Sequence, residues 1–466
     1  MLITVSTNVF SYKGVKANDE IPNLTKHKGP NLLWENLSKS AQRHIINRGR
    51  VAGYTLNWYQ ANNPIEDTHA VRPILHTHPL KGMLFGIFDG HSGKFTSEFC
   101  KNELFDFIEY VATKEDLLNR FDPFNDKKEE FTFITARTEQ TLLSLPRDTL
   151  KYSIFPFTEA FQLADAVWLK SNLITQHSKE ESGNPALNGS CAVVCHVKED
   201  LVTTAWVGDC RAVVGRKVPQ YGLDGVPSHR WECVPLTNDH QIDINEKEKN
   251  RLLGEHPGED DVIRRNRVKG RLQPTRVFGD AHYKDTEYFK RWSGSKYYNV
   301  WTPPYVTAKP DISYYQIQDE DKFMIIATDG LFQDLNNVDV FFHSQYILRL
   351  QLKKKKINIK TALFACLDTQ WIANPSTHLI KHALLAACEQ AMPLSSLVPE
   401  EKRLSAIMNL PIESKRRVHD DVTVIVIFFD NEGNTETDLS NLGRSPHVPH
   451  RYVDLLEKAA KKKSML

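Results

Sequence analysis

The chain has 466 residues, with 59 Lys and Arg against 58 Asp and Glu, which gives a formal net charge of +1. Charged residues make up 25% of it and hydrophobic residues 41%, a composition typical of a folded globular protein. A near-neutral chain lacks the basic excess of most nucleic-acid-binding proteins, so nucleic acid is not predicted as a partner. The longest apolar run, Val422 to Phe429, is far shorter than the ~20 residues that a membrane-spanning helix needs.

Cysteine usage and the two ends of the chain add further expectations. The 7 cysteines are scattered without a C-x-x-C pair, which predicts reduced, mostly buried thiols in an intracellular protein. The N-terminus has neither a secretory signal nor an Arg-rich presequence. We predict an irregular lead-in over residues 1–50 and a polar, basic tail over residues 432–466.

Apolar periodicity predicts the elements between these ends. The run MLFGIFDG after Gly82 predicts a buried strand, and the helical spacing that follows predicts a helix over Lys94–Ala112. A second helix is expected over Phe157–Leu173. Three strands, SCAVVCHV, VTTAWVGD and RAVVGRK, are joined so closely that we expect an antiparallel meander. Later in the chain the patterns predict a helix at 246–253, strands at 311–318 and 323–328, helices at 338–350 and 376–391, and a strand at 421–429.

This mixture of strand groups and helices predicts an α+β layered fold rather than strict βαβ alternation. We expect a single domain over residues 51–431. The segments that enlarge it as insertions are expected near 115–150, 215–230, 245–275 and 340–400.

Acidic residues recur at the ends of the apolar strands. Asp89, Asp209 and Asp329 each follow such a run, and Asp420 precedes the last one. A carboxylate at the edge of a buried strand is costly unless it is paired or binds a cation. Oxygen ligands without a Cys/His cluster favour Mg²⁺ or Mn²⁺ over Zn²⁺. The alternative is that each Asp only begins the turn after its strand.

Other patterns predict no chemistry. The chain has no phosphate-binding loop, no zinc-protease motif and no nucleophile elbow. His378 and His382 lie four residues apart on a predicted helix, but packing histidines are expected there because no third ligand is near in sequence. The basic runs Lys353–Lys356 and Lys458–Lys463 are expected to be solvated surface charge.

Seven motifs, in order over about residues 60–430, resemble the series of the metal-dependent (type 2C) serine/threonine protein phosphatases. They are Phe88-Asp89-Gly90-His91, Asn188-Gly189-Ser190-Cys191-Ala192, Val207-Gly208-Asp209-Cys210-Arg211-Ala212, Leu236-Thr237-Asn238-Asp239-His240, Arg276-Val277-Phe278-Gly279-Asp280, Ala327-Thr328-Asp329-Gly330-Leu331 and Asp420-Asp421-Val422-Thr423. The resemblance implies a central antiparallel β-sandwich flanked by pairs of helices, with a binuclear metal site at one end.

The resemblance also implies a ligand set for two Mg²⁺ or Mn²⁺ ions, with the acidic position at Asp209 associated with a third. The implied ligands are Glu66, Asp89, the Gly90 carbonyl, Asp329, Asp420 and Asp209. In such a site a hydroxide that bridges the metals attacks the phosphorus of phosphoserine directly. Asp89, as the bridging ligand, is therefore counted with the catalytic residues.

Three further residues have expected roles. His91 matches the general acid of the family, although a histidine that only caps the Asp89 turn is the alternative. Asn62 stands where the family commonly has a phosphate-binding Arg, so it is the candidate phosphate contact, without the charged bidentate clamp of Arg. Asp421 replaces a usual Asn, and we expect it to support Asp420 rather than to bind metal.

Within the family, the chain resembles the mitochondrial pyruvate dehydrogenase phosphatases. The stretches that carry this likeness are Asn63-Pro64-Ile65-Glu66-Asp67, Gly270-Arg271-Leu272-Gln273-Pro274-Thr275-Arg276, Thr302-Pro303-Pro304-Tyr305 and 373–382. It implies the pyruvate dehydrogenase alpha subunit as substrate and the mitochondrial matrix as location, and it leaves open a regulatory subunit and docking to a lipoyl domain. The alternatives are a cytosolic phosphatase with other phosphoprotein substrates and a non-catalytic scaffold with this fold.

Overall fold

Two antiparallel sheets organise the chain in the computed structural model, which describes residues 36–114, 144, 147–174, 185–221, 227–292, 301–333, 335–337, 374–391 and 398–434. The strands are β1 (Gln42–Tyr59), β2 (Thr68–Ile74), β3 (Gly82–His91), β4 (Gly189–Lys198), β5 (Leu201–Val207), β6 (Arg211–Tyr221), β7 (Pro227–Pro235), β8 (Ile263–Arg264), β9 (Arg267–Val268), β10 (Phe278–Gly279), β11 (Asp311–Gln316), β12 (Asp321–Ala327) and β13 (Val422–Asn434).

The first sheet has the order β1-β13-β12-β6-β7, and the second has the order β11-β5-β4-β3-β2, with β10 paired to β4. A separate small hairpin joins β8 to β9. In the first sheet, the first and last strands of the described chain are neighbours, with Tyr59 opposite Val422. The pairing joins the two ends of the described chain within one sheet, and the single domain over 51–431 stays a prediction.

The helices of the described residues lie outside these sheets in sequence, and four of them cover the outer faces of the sheets. The helices are α1 (Phe95–Ala112), α2 (Arg147–Ile174), α3 (Glu246–Glu255), α4 (Ala281–Lys284), α5 (Thr286–Trp292), α6 (Asp329–Phe332), α7 (Pro375–Ala391), α8 (Glu400–Met408) and α9 (Ile412–Lys415), with a 3₁₀ turn at Pro185–Leu187. Apolar residues of α1 and α2 pack on the second sheet, and those of α7 and α8 pack on the first.

Strand β3 illustrates how alternation builds these layers. Leu84 and Phe88 face the cluster beneath α1 and α2, whereas Met83, Phe85 and Ile87 face the apolar layer between the two sheets. A strand with helices on one side and a sheet on the other must be apolar on both faces, and this explains its unbroken hydrophobic run. The α+β sandwich with flanking helices is therefore confirmed.

The structure corrects the predicted meander. Strands β4 and β5 pair antiparallel, with Val193 opposite Trp206, but β6 leaves for the other sheet and pairs with β7 and β12. Gly208, with a φ of 90°, lies in the three-residue connection between β5 and β6. A connection this short fits a hairpin and an inter-sheet crossing equally well, and its length alone does not distinguish them.

Two elements, β1 and α2, begin earlier in the chain than the sequence predicted. Strand β1 begins at Gln42, inside the segment for which an irregular lead-in was predicted, so that prediction was wrong for residues 42–50. Helix α2 begins at Arg147 and contains Pro156, whereas the prediction began after that proline because proline removes a helical hydrogen bond. The predicted helix at 338–350, both lysine runs and nearly all of the tail after Asn434 lie outside the described residues.

Six cysteines, at positions 100, 191, 195, 210, 233 and 388, are free thiols, and all but Cys233 are buried. The prediction for these six is confirmed, and Cys366 lies outside the described residues. Among the described helices, none combines the length and apolarity that a bilayer crossing requires.

Candidate metal centre

Three carboxylates lie together at one end of the sandwich, and each belongs to a different structural element. Asp89 lies near the end of β3 in the second sheet, Asp329 begins α6 directly after β12 of the first sheet, and Asp209 lies in the connection between the sheets. One ligand atom from each lies within 4.8 Å of the other two. The sequence predicted all three residues, and the structure brings them together.

Burial and mutual repulsion act strongly on this acidic cluster. Loss of hydration raises the pKa of Asp89 well above its usual value, and the neighbouring charge of Asp329 raises it further. The pKa of Asp329 is likewise raised, first by burial and then by the charge of Asp209. Carboxylates that destabilise one another in this way favour a bound cation, because the cation replaces both the lost hydration and the missing counter-charge.

Asp209 is held by the segment that follows β7. Gln241 Nε2 donates to Asp209 Oδ2 at 2.7 Å. Beside it, His240 accepts from Gly208 N through Nδ1 at 3.1 Å and donates its own backbone N–H to the Gly208 carbonyl at 2.9 Å. A side chain at Gly208 would place Cβ 2.2 Å from Cys191 Sγ, so this turn requires glycine. The sequence analysis assigned no role to Gln241.

Asp420 and Asp421 have different hydrogen-bond partners, and the assignment of Asp420 as a metal ligand stays a prediction. The carboxylate of Asp421 accepts backbone N–H bonds from Ala61 at 2.6 Å, Asn62 at 2.8 Å and Glu66 at 2.8 Å, so it closes the loop that carries Glu66. Asp420 Oδ1 accepts from Asp421 N at 2.8 Å. The charge of Asp420 also contributes to the raised pKa of Asp89, which places it beside the acidic cluster.

Asn62 does not have the arrangement expected of a phosphate contact. Its Nδ2 group donates to Asp420 Oδ1 at 3.1 Å and to Asp421 Oδ2 at 3.0 Å. Both amide hydrogens are thereby used, since a primary amide has two. In this arrangement Asn62 orients two carboxylates and has no hydrogen left for a phosphoryl oxygen, which differs from the predicted role.

Glu66 lies next to this loop with one oxygen satisfied and one not. Its Oε1 accepts from Gly93 N at 2.5 Å, whereas its buried Oε2 has no hydrogen-bond partner. The guanidinium of Arg416 lies nearby, with Nη2 at 3.7 Å from Oε2. Gly90 packs directly against the Glu66 backbone, because an added Cβ would lie 2.4 Å from the Glu66 carbonyl oxygen.

Asp67 is a buried acid to which the sequence analysis gave no role. Burial raises its pKa well above the usual value, and the charge of Asp421 adds to that effect. Thr328 Oγ1 donates to Asp67 Oδ2 at 3.0 Å, which ties the Glu66 loop to the residue before Asp329. The available signal was a second carboxylate directly after Glu66.

His91 is paired with a carboxylate that sequence spacing could not identify. Its Nε2 lies 2.7 Å from Asp280 Oδ2, and Asp280 is 2% exposed and adopts a left-handed φ of 48°. Burial alone would lower the pKa of His91, but the adjacent Asp280 carboxylate raises it above the usual value. The pair therefore favours the imidazolium, the form that a general acid requires.

The two histidines of α7 lie against each other. The rings of His378 and His382 contact each other with centroids 4.3 Å apart. Within the described ranges, the one group of three or more His, Cys, Asp or Glu side chains close enough to share an ion is the Asp89 cluster. The interpretation of His378 and His382 as packing residues stays a prediction.

The donor set fits a hard divalent cation. The cluster offers carboxylate oxygens, burial and repulsion raise the pKa of Asp89 and Asp329, and Glu66 Oε2 is a buried acceptor without a hydrogen-bond partner. Oxygen donors of this kind suit Mg²⁺ and Mn²⁺. An acidic oxygen centre at the end of two stacked antiparallel sheets is the arrangement of a candidate metal-binding protein.

Comparison with known proteins identifies the family. Residues 58–367 match the family described as Protein phosphatase 2C, and the chain belongs to that family. It is 29% identical to a protein phosphatase 2C homologue of Schizosaccharomyces pombe, over 89% of this chain and 90% of that protein. It is 26% identical to the mitochondrial pyruvate dehydrogenase (acetyl-transferring) phosphatase 2 of Homo sapiens, over 82% of this chain and 78% of that protein.

A bovine relative, the mitochondrial pyruvate dehydrogenase (acetyl-transferring) phosphatase 1 of Bos taurus, is 29% identical over 83% of this chain and 79% of its own length. Among solved structures, a serine-threonine phosphatase 2C from Toxoplasma gondii matches with a TM-score of 0.45 and 16% identity, over 84% of this chain and 99% of that one. The family is metal-dependent and removes phosphate from serine and threonine, so the chain is a serine/threonine protein phosphatase.

Proposed function

We propose that the chain hydrolyses phosphoserine on the pyruvate dehydrogenase alpha subunit, with two Mg²⁺ or Mn²⁺ ions at the acidic cluster and a third associated with Asp209. The observation that carries the proposal is the meeting of Asp89, Asp209 and Asp329 within 4.8 Å at the end of the sandwich. The names of the human and bovine relatives support the choice of substrate.

In this proposal the protein residues prepare the site for an incoming phosphate ester. Asp89, Asp329 and Asp420 hold one side of the centre, and Glu66 with the Gly90 carbonyl holds the other. When bound, the divalent cations supply Lewis acidity toward water and toward the phosphoryl oxygens. The repelling carboxylates are thereby neutralised, and this lets a dianionic phosphate approach a site that would otherwise repel it.

His91 provides the proton for the departing serine oxygen in this scheme. Its Nε2 is engaged by Asp280 at 2.7 Å, so Nδ1 is the nitrogen that remains for the leaving group. Asp280 keeps the ring oriented and favours its protonated form, as a carboxylate partner does for a catalytic histidine. Proton donation of this kind contributes about 10²–10⁴-fold to a rate.

The test compares two substrates and two variants. Purified protein with Mg²⁺ is assayed on phosphorylated pyruvate dehydrogenase and on an unrelated phosphoserine peptide, with Asp329→Asn and Asp260→Asn in parallel. Asp260 is an exposed carboxylate remote in sequence from the cluster, and it serves as the charge-matched control. We expect kcat/KM to favour pyruvate dehydrogenase by at least about tenfold, and Asp329→Asn to abolish turnover.

Three possible results would each contradict a different part of the proposal. Equal activity on both substrates would favour a phosphatase of other phosphoproteins, and turnover retained in Asp329→Asn would remove the metal assignment. No turnover together with no Mn²⁺ binding by calorimetry would favour a non-catalytic scaffold.

The mitochondrial matrix is the proposed location, and the description of the human and bovine relatives as mitochondrial supports it. Fractionation of cells that express the tagged chain tests it, and recovery outside mitochondria would contradict it. A regulatory subunit and docking to a lipoyl domain stay predictions of the resemblance.

A further inference from the structure

A cationic side chain lies beside the acidic centre without a firm partner. Arg416 follows α9 and comes four residues before Asp420 in the chain. Its side chain is 57% exposed, and its Nη2 lies 3.7 Å from Glu66 Oε2. That distance is too long for a hydrogen bond, and the exposed guanidinium is largely screened by solvent. The five N–H donors of the guanidinium are therefore available to a ligand.

Two other cations close to the site are occupied. Arg211 donates through Nε and Nη2 to both oxygens of Asp239, at 2.8 and 2.7 Å, and through Nη1 to Asn337 at 3.0 Å. Lys415 donates to the Tyr59 hydroxyl at 3.0 Å and lies over that ring. A phosphate could recruit either residue only by breaking contacts already made. Among the described residues, Arg416 has no hydrogen bond to break.

The loop that carries Glu66 also contains two buried acceptors suited to a cation. Glu66 Oε2 and Asn62 Oδ1 are buried and have no hydrogen-bond partner, and each residue is 7% exposed. A divalent cation bound by Glu66 would share the carboxylate charge and loosen its hold on Arg416. A phosphoryl dianion arriving at that cation would restore negative charge beside the guanidinium. Arg416 and the cation would then attract the same group from two sides.

We propose that Arg416 forms the phosphate-anchoring subsite of this phosphatase, an inference that rests on the proposed function. The planar guanidinium donates two parallel N–H bonds to two non-bridging oxygens of the phosphoserine, and to the same oxygens of inorganic phosphate before it leaves. Arginine suits this geometry because its donors form a rigid fork. Asn62 does not compete, because Asp420 and Asp421 use both of its amide hydrogens.

The experiment measures phosphate binding separately from turnover. Arg416→Ala, Arg416→Lys and wild type are compared in product inhibition by inorganic phosphate, and in calorimetric titration of the Mn²⁺-loaded proteins with phosphate. Arg417→Ala is the matched control, because Arg417 is adjacent and exposed and has no ion pair within the described residues. We expect the inhibition constant and the calorimetric Kd to rise about 10- to 100-fold in Arg416→Ala.

Arg416→Lys should keep part of the phosphate affinity that Arg416→Ala loses, because lysine keeps the positive charge but not the paired N–H donors of the guanidinium. Mn²⁺ affinity should change little in any of these variants. An unchanged phosphate Kd in Arg416→Ala, an equal loss in Arg417→Ala, or a loss of Mn²⁺ affinity with phosphate binding intact would each overturn the proposal. If wild type has no phosphatase activity, the proposed function fails, whereas the calorimetric arm still decides whether Arg416 binds phosphate.

Discussion

Neutralising one carboxylate of the cluster should make the metal-free protein more stable. In Asp329→Asn the side chain keeps its size but loses its charge. Two unit charges 4.8 Å apart repel by about 3.5 kcal/mol at an effective dielectric constant of about 20. Because burial and repulsion raise the pKa of Asp89 and Asp329, part of that repulsion is already relieved by protonation. The remaining gain is about 1–3 kcal/mol.

The assay is a thermal melt of wild type, Asp329→Asn and Asp260→Asn, each with EDTA and with Mn²⁺. With EDTA, Asp329→Asn should melt about 2–6 °C above wild type, taking about 2 °C per kcal/mol for a chain of this size. With Mn²⁺, the melting temperature of wild type should rise and that of the variant should rise much less, because a metal ion stabilises a protein by binding to its folded state. Asp260→Asn should follow wild type in both conditions.

The reasoning would be refuted by an Asp329→Asn protein that melts at or below wild type in EDTA. That result would mean that the carboxylates are stabilised by contacts within the protein, so that no cation is needed to hold them together. If Mn²⁺ raised the melting temperature of Asp329→Asn as much as that of wild type, Asp329 would not be a metal ligand, even if the variant melted above wild type in EDTA.

Three further predictions concern residues around the centre. Gln241→Ala should raise the Mn²⁺ concentration for half-maximal activity about 3- to 10-fold, because Asp209 loses its 2.7 Å donor, and a metal titration that matches wild type would contradict this. Gly208→Ala should lower the free energy of unfolding in urea by more than about 2 kcal/mol, whereas Gly254→Ala, on helix α3 with open space around it, should raise it by about 0.5–1 kcal/mol. Burial alone would raise the pKa of Glu248, but its neighbouring arginines hold that pKa well below the ordinary 4.5. The ionised Glu248 carboxylate therefore stabilises the folded state above about pH 4.5, and this contribution is lost as the pH falls. The melting temperature of Glu248→Gln should therefore lie below wild type at neutral pH, with the gap closing below about pH 4; a gap independent of pH would contradict the assignment.

The carboxylates were predictable because they interrupt apolar runs. Asp89 and Asp329 each end a segment that has to be a buried strand, and an acid there signals a cation from composition alone. Their convergence required the two sheets to stack, and the sandwich was expected only from the resemblance to the type 2C phosphatases, since the strand and helix pattern alone indicated an α+β layered fold. These acidic residues could therefore be identified as site candidates from the sequence, before any contact was known.

The partners of these residues were not predictable, because they come from segments remote in sequence. Asp280 reaches His91 across 189 positions, and Gln241 reaches Asp209 across 32. Only closure of the tertiary structure decides which of many polar side chains ends beside each functional group. Arg416 belongs with these partners, since no local pattern distinguishes it from Arg417.

The error at β5 and β6 has a related cause. Two strands joined by three residues form either a hairpin in one sheet or a crossing between two, and both choices bury the same apolar faces. The deciding feature is the tight packing of Gly208 against Cys191, a contact with the neighbouring strand β4. Local propensity cannot encode a choice that depends on a third strand.

The crossing at Gly208 has a mechanical consequence. Asp89 belongs to one sheet and Asp329 follows the other, while the layer between the sheets is held by apolar side chains. A cation shared by these carboxylates would cross-link the two halves of the sandwich at one end. Chelation should then accelerate amide hydrogen exchange in β3 and β12 together, so that metal loading is reported by the rigidity of strands from both sheets.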